Sequence, residues 1–333
     1  MKALVLENKE QPLVLKEVDK PVPAKGEALV KILATALNHR DLWIQKGRYA
    51  GLKYPVIPGS DGAGTVSGTG DEADSSWIGK EVIINPSIGW GSSQSHQDPA
   101  TFHILGLPED GCFAEWVKVP VSSLIQKPVE LSMEEAAALP LAGLTAYRAL
   151  ISRGNLKPGE KVLITGIGGG VALFALQIAL AANGETYVNS GTSEKLERAL
   201  VLGAKAGFNY RNENWVAEAK AKAGSFDLII DGAGGNELNH LLDLAKSGGR
   251  VISYGSTLGN PTNLELRRIF WKQINLSGST MGSPNDFLSM VQFIKQYRIR
   301  PIIDKVFSFV NGNDALKRMD AGQQFGKIIL RVP

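Results

Sequence analysis

A chain of 333 residues, 44% hydrophobic and 21% charged, has room for about two domains with separate cores and shows no sign of disorder. Its formal net charge of +3 is small, and the Lys and Arg residues are scattered among acidic ones, so nothing points to nucleic acid. Cys112 is the only cysteine, which excludes an internal disulfide and an all-cysteine zinc site, and His39, His96, His103 and His240 show no ligand spacing on one helix. The longest apolar run, 171–182, contains Gln177 and is too short to span a bilayer, and the charged opening MKALVLENKEQP reads as a strand rather than a signal peptide. A cytoplasmic protein without membrane contact is expected.

The first 130 or so residues carry short β-like runs between Gly and Pro: ALVL, LVLKEV, EALVKILATAL, GAGTVSG, KEVIIN and FAEWVKVP. Such spacing predicts a mostly β unit closed on itself. From Lys161 the pattern changes to apolar strands alternating with longer helical stretches. KVLIT, ETYVNS, AGFNY, FDLIID, RVISYGS and INLSGST are enough strands for a full doubly wound parallel sheet. After Met281 a helix, PNDFLSMVQFIKQY, precedes two more strands, PIIDKVFSF and FGKIILRV, so the end of the chain is expected to return to the first unit. The predicted fold is α/β, with a mostly β domain of residues 1–143 and 283–333 and an inserted doubly wound parallel-sheet domain of residues 144–282.

The glycines Gly166, Gly168, Gly169 and Gly170 stand between KVLIT and the helical VALFALQIALAAN. A helix start presents unpaired N–H groups and a positive dipole end, and missing side chains let a pyrophosphate approach them, with Val171 next in line. The alternative is a structural turn without a ligand. Gly184 is expected to cap the helix. At the end of the second strand an NAD-binding chain usually carries Asp or Glu for the ribose hydroxyls. Here Ser190, Gly191 and Thr192 fill that corner, with Lys195 a turn later, which suits the 2′-phosphate of NADP. Glu194 argues for NAD unless it faces water.

Beyond these readings, ALNHRDLW (36–43), PVIPGSDGAGTV (55–66), DGCFAEWVKVP (110–120), EEAAALPLAGLTAYRAL (134–150), the glycine loop, KLERALVLGA (195–204), FNYR (208–211) and FGKIILR (325–331) span nearly all of the chain. Together they resemble the medium-chain dehydrogenase/reductase superfamily, in the branch of quinone oxidoreductases and zinc-type alcohol dehydrogenase-like proteins. The resemblance implies a GroES-like catalytic domain, an inserted Rossmann domain and a homodimer paired through INLSGST. Members that use zinc ligate it at positions that read Asn38, Ser60 and Ala142 here, so the resemblance implies zinc-independent chemistry.

Zinc-free relatives pass hydride from NADPH to quinones or α,β-unsaturated carbonyls, and that is the expected reaction. By motif position the resemblance places Asn38, Asp41, Tyr49 and Thr145 at the reacting centre. Helix-cap duty is the alternative for Asp41 and Thr145, and packing for Tyr49. It places Ser190, Thr192, Lys195 and Tyr210 on the adenosine phosphate, and Gly232, Tyr254, Gly255, Ser256, Gly326 and Lys327 elsewhere along the cofactor. A zinc-free alcohol or aldehyde oxidoreductase and a catalytically weak NADPH-binding protein remain alternatives.

Overall fold

The computed structural model describes residues 1–333, apart from the side chain of Ala73. Contacts divide the chain into two units, Met1–Ala142 with Gly282–Pro333, and Gly143–Met281.

In the first unit the strand Glu27–Ala36 is the hub. It pairs antiparallel with Asp61–Thr69, Trp116–Pro120 and Lys327–Arg331. Glu81–Ile84 and Leu124–Gln126 extend the sheet on one side, and Ile303–Ser308 closes the other. Apolar side chains from these strands, among them Ile32, Val66, Val82 and Leu330, join Leu4, Leu6, Phe113 and Phe309 in one core. Two register shifts in the Glu27–Ala36 pairing curve the sheet around that core.

The return of the chain end is stitched at two points. Asn313 Nδ2 donates to Leu13 O while Leu13 N donates to Asn313 Oδ1, both at 2.8 Å. The last strand pairs Ile329 with Ala36, and Leu37 N donates to Ile328 O at 2.9 Å. Continued by two residues, this register sets Lys327 across from Asn38.

The second unit is a six-stranded parallel sheet. Its order is Ala206–Asn209, Glu185–Ser190, Lys161–Ile164, Phe226–Asp231, Ala245–Ser253 and Asn275–Gly278. The central strands, KVLI and FDLIID, are almost continuously apolar because both faces of a parallel sheet are covered. Trp215, Leu241, Leu242, Phe208 and Phe226 pack one core cluster of this unit. The helix Gly170–Ala181 follows the first strand and is apolar on nearly every side. By contrast, no residue of the helix Leu266–Lys272 is buried, and Leu266, Phe270 and Trp271 are exposed.

Three local expectations change. The Gly170–Ala181 helix is closed by Asn183, at φ 60°, rather than by Gly184. Gly184 N donates to Ala179 O and Asn183 N to Leu180 O, so the glycine sits one residue beyond the left-handed position, which Asn tolerates. Thr145 does not start a helix; it is a buried residue well inside Pro140–Tyr147, so it is not a cap. Tyr210 lies just beyond the C-terminal end of its strand rather than within it.

Candidate active site

In the first unit, the polar side chains of Asn38, Asp61 and Lys327 meet at the start of the helix His39–Gln45. Asn38 precedes that helix, 7% exposed, in an extended conformation. Its Nδ2 donates to Asp61 Oδ2 at 2.9 Å, and its Oδ1 accepts from Lys327 Nζ at 2.6 Å. Lys327 Nζ also donates to Asp61 Oδ2 at 2.9 Å, and Leu141 N donates to Asp61 Oδ1 at 2.8 Å. Asp61 is fully buried and Lys327 is 3% exposed, so this is an ion pair outside solvent, with the carboxylate held by three donors.

Arg40 is the second buried cation, 7% exposed. Its Nη1 donates to Ser60 Oγ at 2.6 Å and to Leu105 O at 2.8 Å, and its Nε to Tyr49 Oη at 3.3 Å. The guanidinium carbon also lies 5.0 Å from the centre of the Tyr49 ring. Tyr49 is therefore joined to this cluster through Arg40. Cys112 is buried in the same region, and burial, with Asp61 and Asp41 adding to it, pushes its thiol up, which leaves it unreactive.

Asp41 serves the helix start, as Asn38 N donates to its Oδ2 at 2.8 Å. Its other oxygen is buried with no partner among the described residues. Burial pushes the carboxyl up to about 6, against the opposing pull of Arg40, the Asn38 N–H and Lys327. The folded chain thus keeps this proton to a higher pH than an unfolded one, whose Asp titrates near 3.8. Stability from this group is present below the unfolded value and is lost as pH rises through about 6, by about 2–3 kcal/mol. Asp41→Asn, which cannot titrate, is expected to gain that amount on wild type between about pH 3.5 and pH 7.5. Urea unfolding at the two pH values measures it, and a difference that does not move with pH would refute the assignment.

In the second unit, the loop after Lys161–Ile164 is built for a close approach. Gly166 (φ 66°) and Gly168 (φ 125°) take backbone angles that favour glycine. Gly166 N donates to Asn189 Oδ1 at 2.8 Å, and Ile167 N to Asn189 O at 2.8 Å, so the neighbouring strand pins the loop. A Cβ on Gly166 would meet nothing within 4 Å, and one on Gly169 only Gly166 O at 3.8 Å. Both positions border open space above the helix Gly170–Ala181, with Gly169 as its N-cap and Gly170 and Val171 in its first turn. That cradle fits the pyrophosphate of a dinucleotide.

The corner at the end of Glu185–Ser190 gathers cations and hydroxyls. A Cβ on Gly168 would lie 2.8 Å from Lys195 Cδ, so the Lys195 side chain passes over the glycine loop. A Cβ on Gly191 would lie 2.8 Å from Tyr210 Oη and 2.9 Å from Arg211 Nε. Ser190 Oγ accepts weakly from Thr192 N at 3.4 Å. Glu194, the residue that argued for NAD, has an 81% exposed side chain and lies 4.0 Å from Arg198. It faces water.

The remaining assigned residues divide between the units. Gly232 leads the loop after Phe226–Asp231, where Asp231 accepts from Ala233 N and Gly234 N at 3.0 Å and from Thr165 Oγ1 at 2.7 Å. The half-buried Tyr254 ring lies against Gly232, where a Cβ would collide with it, and burial together with Asp231 pushes its phenol up. Gly255 and the exposed Ser256 follow it in the chain. Gly326 and Lys327, expected along the cofactor, belong to the β unit. Gly326 is tight against Ile302 O, and Lys327 is held within the Asn38 cluster. Four residues of this architecture had no assigned role from sequence: Asp61, Arg40, Asn189 and Arg211. The signal for the first was available, a lone acid in the otherwise small and apolar PGSDGAG.

Among the described residues, no three His, Cys, Asp or Glu side chains gather as a metal-ligand set. Asn38 and Ser60 instead face Lys327 and Arg40, and positive side chains there repel a metal ion, so these residues do not fit a catalytic zinc. No helix among the described residues is long and apolar enough to cross a membrane.

Comparison with known proteins gives a consistent result. Residues 24–129 match the alcohol dehydrogenase GroES-like domain, and residues 170–296 the zinc-binding dehydrogenase family. A zinc-type alcohol dehydrogenase-like protein of Leptosphaeria maculans is 36% identical over 96% of this chain and 95% of that protein. An acryloyl-coenzyme A reductase of Sulfurisphaera tokodaii is 30% identical over 99% of this chain and 100% of its own length. The crystal structure of an NAD-dependent alcohol dehydrogenase superposes with a TM-score of 0.92 at 30% identity, covering 100% of both chains.

Proposed function

The chain belongs to the medium-chain dehydrogenase/reductase superfamily, as an oxidoreductase using a nicotinamide dinucleotide, and on that premise we propose that it is an NADPH-dependent, zinc-independent reductase of quinones or α,β-unsaturated carbonyls. The bound cofactor supplies hydride. The chain supplies the rest: the loop Gly166–Gly170 holds the pyrophosphate, and Lys195, Tyr210 and Arg211 take the 2′-phosphate.

The observation that carries the reaction class is the occupation of Asn38 and Ser60 by fixed cations. Without a Lewis acid a plain carbonyl is a harder acceptor, whereas a conjugated one spreads the arriving charge, and hydrogen-bond donors support it. An acryloyl-coenzyme A reductase among the relatives has the name of such a reaction. The alcohol dehydrogenase names among the other relatives favour a second reading, reduction of a plain carbonyl. We further propose a homodimer that covers Leu266, Phe270 and Trp271 beside the sheet-edge strand Asn275–Gly278, to be checked by sedimentation velocity.

The deciding experiment follows NADPH oxidation, with chelator present and NADH in parallel, against one quinone, one enone and one simple aldehyde. Turnover of the quinone or enone with NADPH preferred is the expected result. Turnover of the aldehyde alone would favour the second reading, and tight NADPH binding without turnover would favour a sensor. Lys195→Ala is expected to weaken NADPH about tenfold more than NADH, because one cation on a dianionic phosphate is lost. Equal weakening of both would sink the phosphate assignment.

A further inference from the structure

We propose that Arg40 is the electrophile of the site, its guanidinium donating hydrogen bonds to the acceptor oxygen as that oxygen becomes negative. The inference rests on the zinc-independent reading above and names the group that replaces the metal.

Two cations are buried beside Asn38 and Ser60, and they differ in what they touch. Lys327 is in direct contact with the Asp61 carboxylate, so its charge is already matched. The acceptors of Arg40 are all neutral: Ser60 Oγ, Leu105 O, Tyr49 Oη and, at 3.4 Å, Ile104 O. A guanidinium has five N–H donors, and one on Nη2 is left with no protein acceptor among the described residues. Arg40 attracts the Asp41 carboxyl beside it in the chain but makes no hydrogen bond or ion pair with a carboxylate, and a buried guanidinium held only by neutral acceptors keeps charge to offer an arriving anion.

The contact lengths show which edge is available. Nη1 is anchored at 2.6 and 2.8 Å, whereas the Nε–Nη2 edge has only its 3.3 and 3.4 Å contacts. That edge is the planar fork that recognises an oxyanion in a bidentate manner. A bound reduced nicotinamide would supply hydride, two electrons and a proton, to the acceptor carbon. The π pair it displaces ends on oxygen, which takes the Arg40 hydrogen bonds. Arg40 keeps its protons throughout, and water supplies the one that completes the product.

The test combines turnover with a binding readout. Propionate serves as a stable oxyanion probe, titrated calorimetrically into the NADP-loaded protein. In Arg40→Gln, kcat/KM for the acceptor is expected to fall about 100-fold and propionate affinity about tenfold, with NADP affinity unchanged. In Arg40→Ala, added methylguanidinium is expected to restore at least about a tenth of the lost turnover, which a purely structural role would not allow. Arg40→Gln within about threefold of wild type in both readouts overturns the proposal, as does a loss shared with NADP binding that methylguanidinium does not restore. If wild type turns over neither quinone nor enone, the proposed function falls, and propionate binding alone then decides the role of Arg40.

Discussion

Lys327→Met is expected to destabilise the β unit by about 3–5 kcal/mol, the largest stability effect of any single change considered. The substitution is close in volume, so the loss is electrostatic. It strands the Asp61 carboxylate, fully buried, with only Asn38 Nδ2 and Leu141 N as donors. Removing one member of a buried pair leaves a charge that the interior cannot solvate. The double variant Asp61→Asn/Lys327→Met is therefore expected to recover most of the stability, since the amide accepts from Leu141 N as before. Denaturant unfolding of the two variants measures both numbers. A double variant as unstable as the single one would show that packing, not charge, is at stake.

Gly169→Val is expected to abolish dinucleotide binding, by about 100-fold or more in affinity, while leaving the fold intact. Gly169 has φ −75°, which suits any residue, and its Cβ would meet protein only at 3.8 Å. A branched side chain therefore enters the space assigned to the pyrophosphate without disturbing its own backbone. Gly168 provides the contrast. At φ 125°, with Lys195 Cδ 2.8 Å from its Cβ position, a Val there strains the chain itself. Calorimetric titration of NADPH together with thermal unfolding separates the two effects. Unchanged affinity in Gly169→Val would remove the loop from the binding site.

The order of strands and helices in the second unit was readable from the chain because its signals are local. An apolar run such as KVLI, a glycine turn and an apolar helical stretch lie within about twenty residues of one another, and neighbouring elements in a parallel sheet are joined by short crossovers. The corner proposed for the cofactor likewise draws on Ser190, Thr192 and Lys195, which are close in sequence. Arg211 escaped because a surface cation has no pattern of its own. Its place beside Gly191 follows from the pairing of Ala206–Asn209 with Glu185–Ser190.

The sequence by itself determined the two-unit α/β plan, the glycine loop and the residue types from which a polar site is assembled. Only the tertiary structure decided what those residues do to one another. Lys327 is 289 positions from Asn38 and 266 from Asp61, and it meets them because the final strand enters the sheet beside Glu27–Ala36 in one register. A shift of one residue would turn that side chain to the opposite face. Periodicity along a chain reports which residues are buried. Which buried charge faces which depends on strand register and on the burial that makes an unmatched charge costly, and neither is written in local pattern.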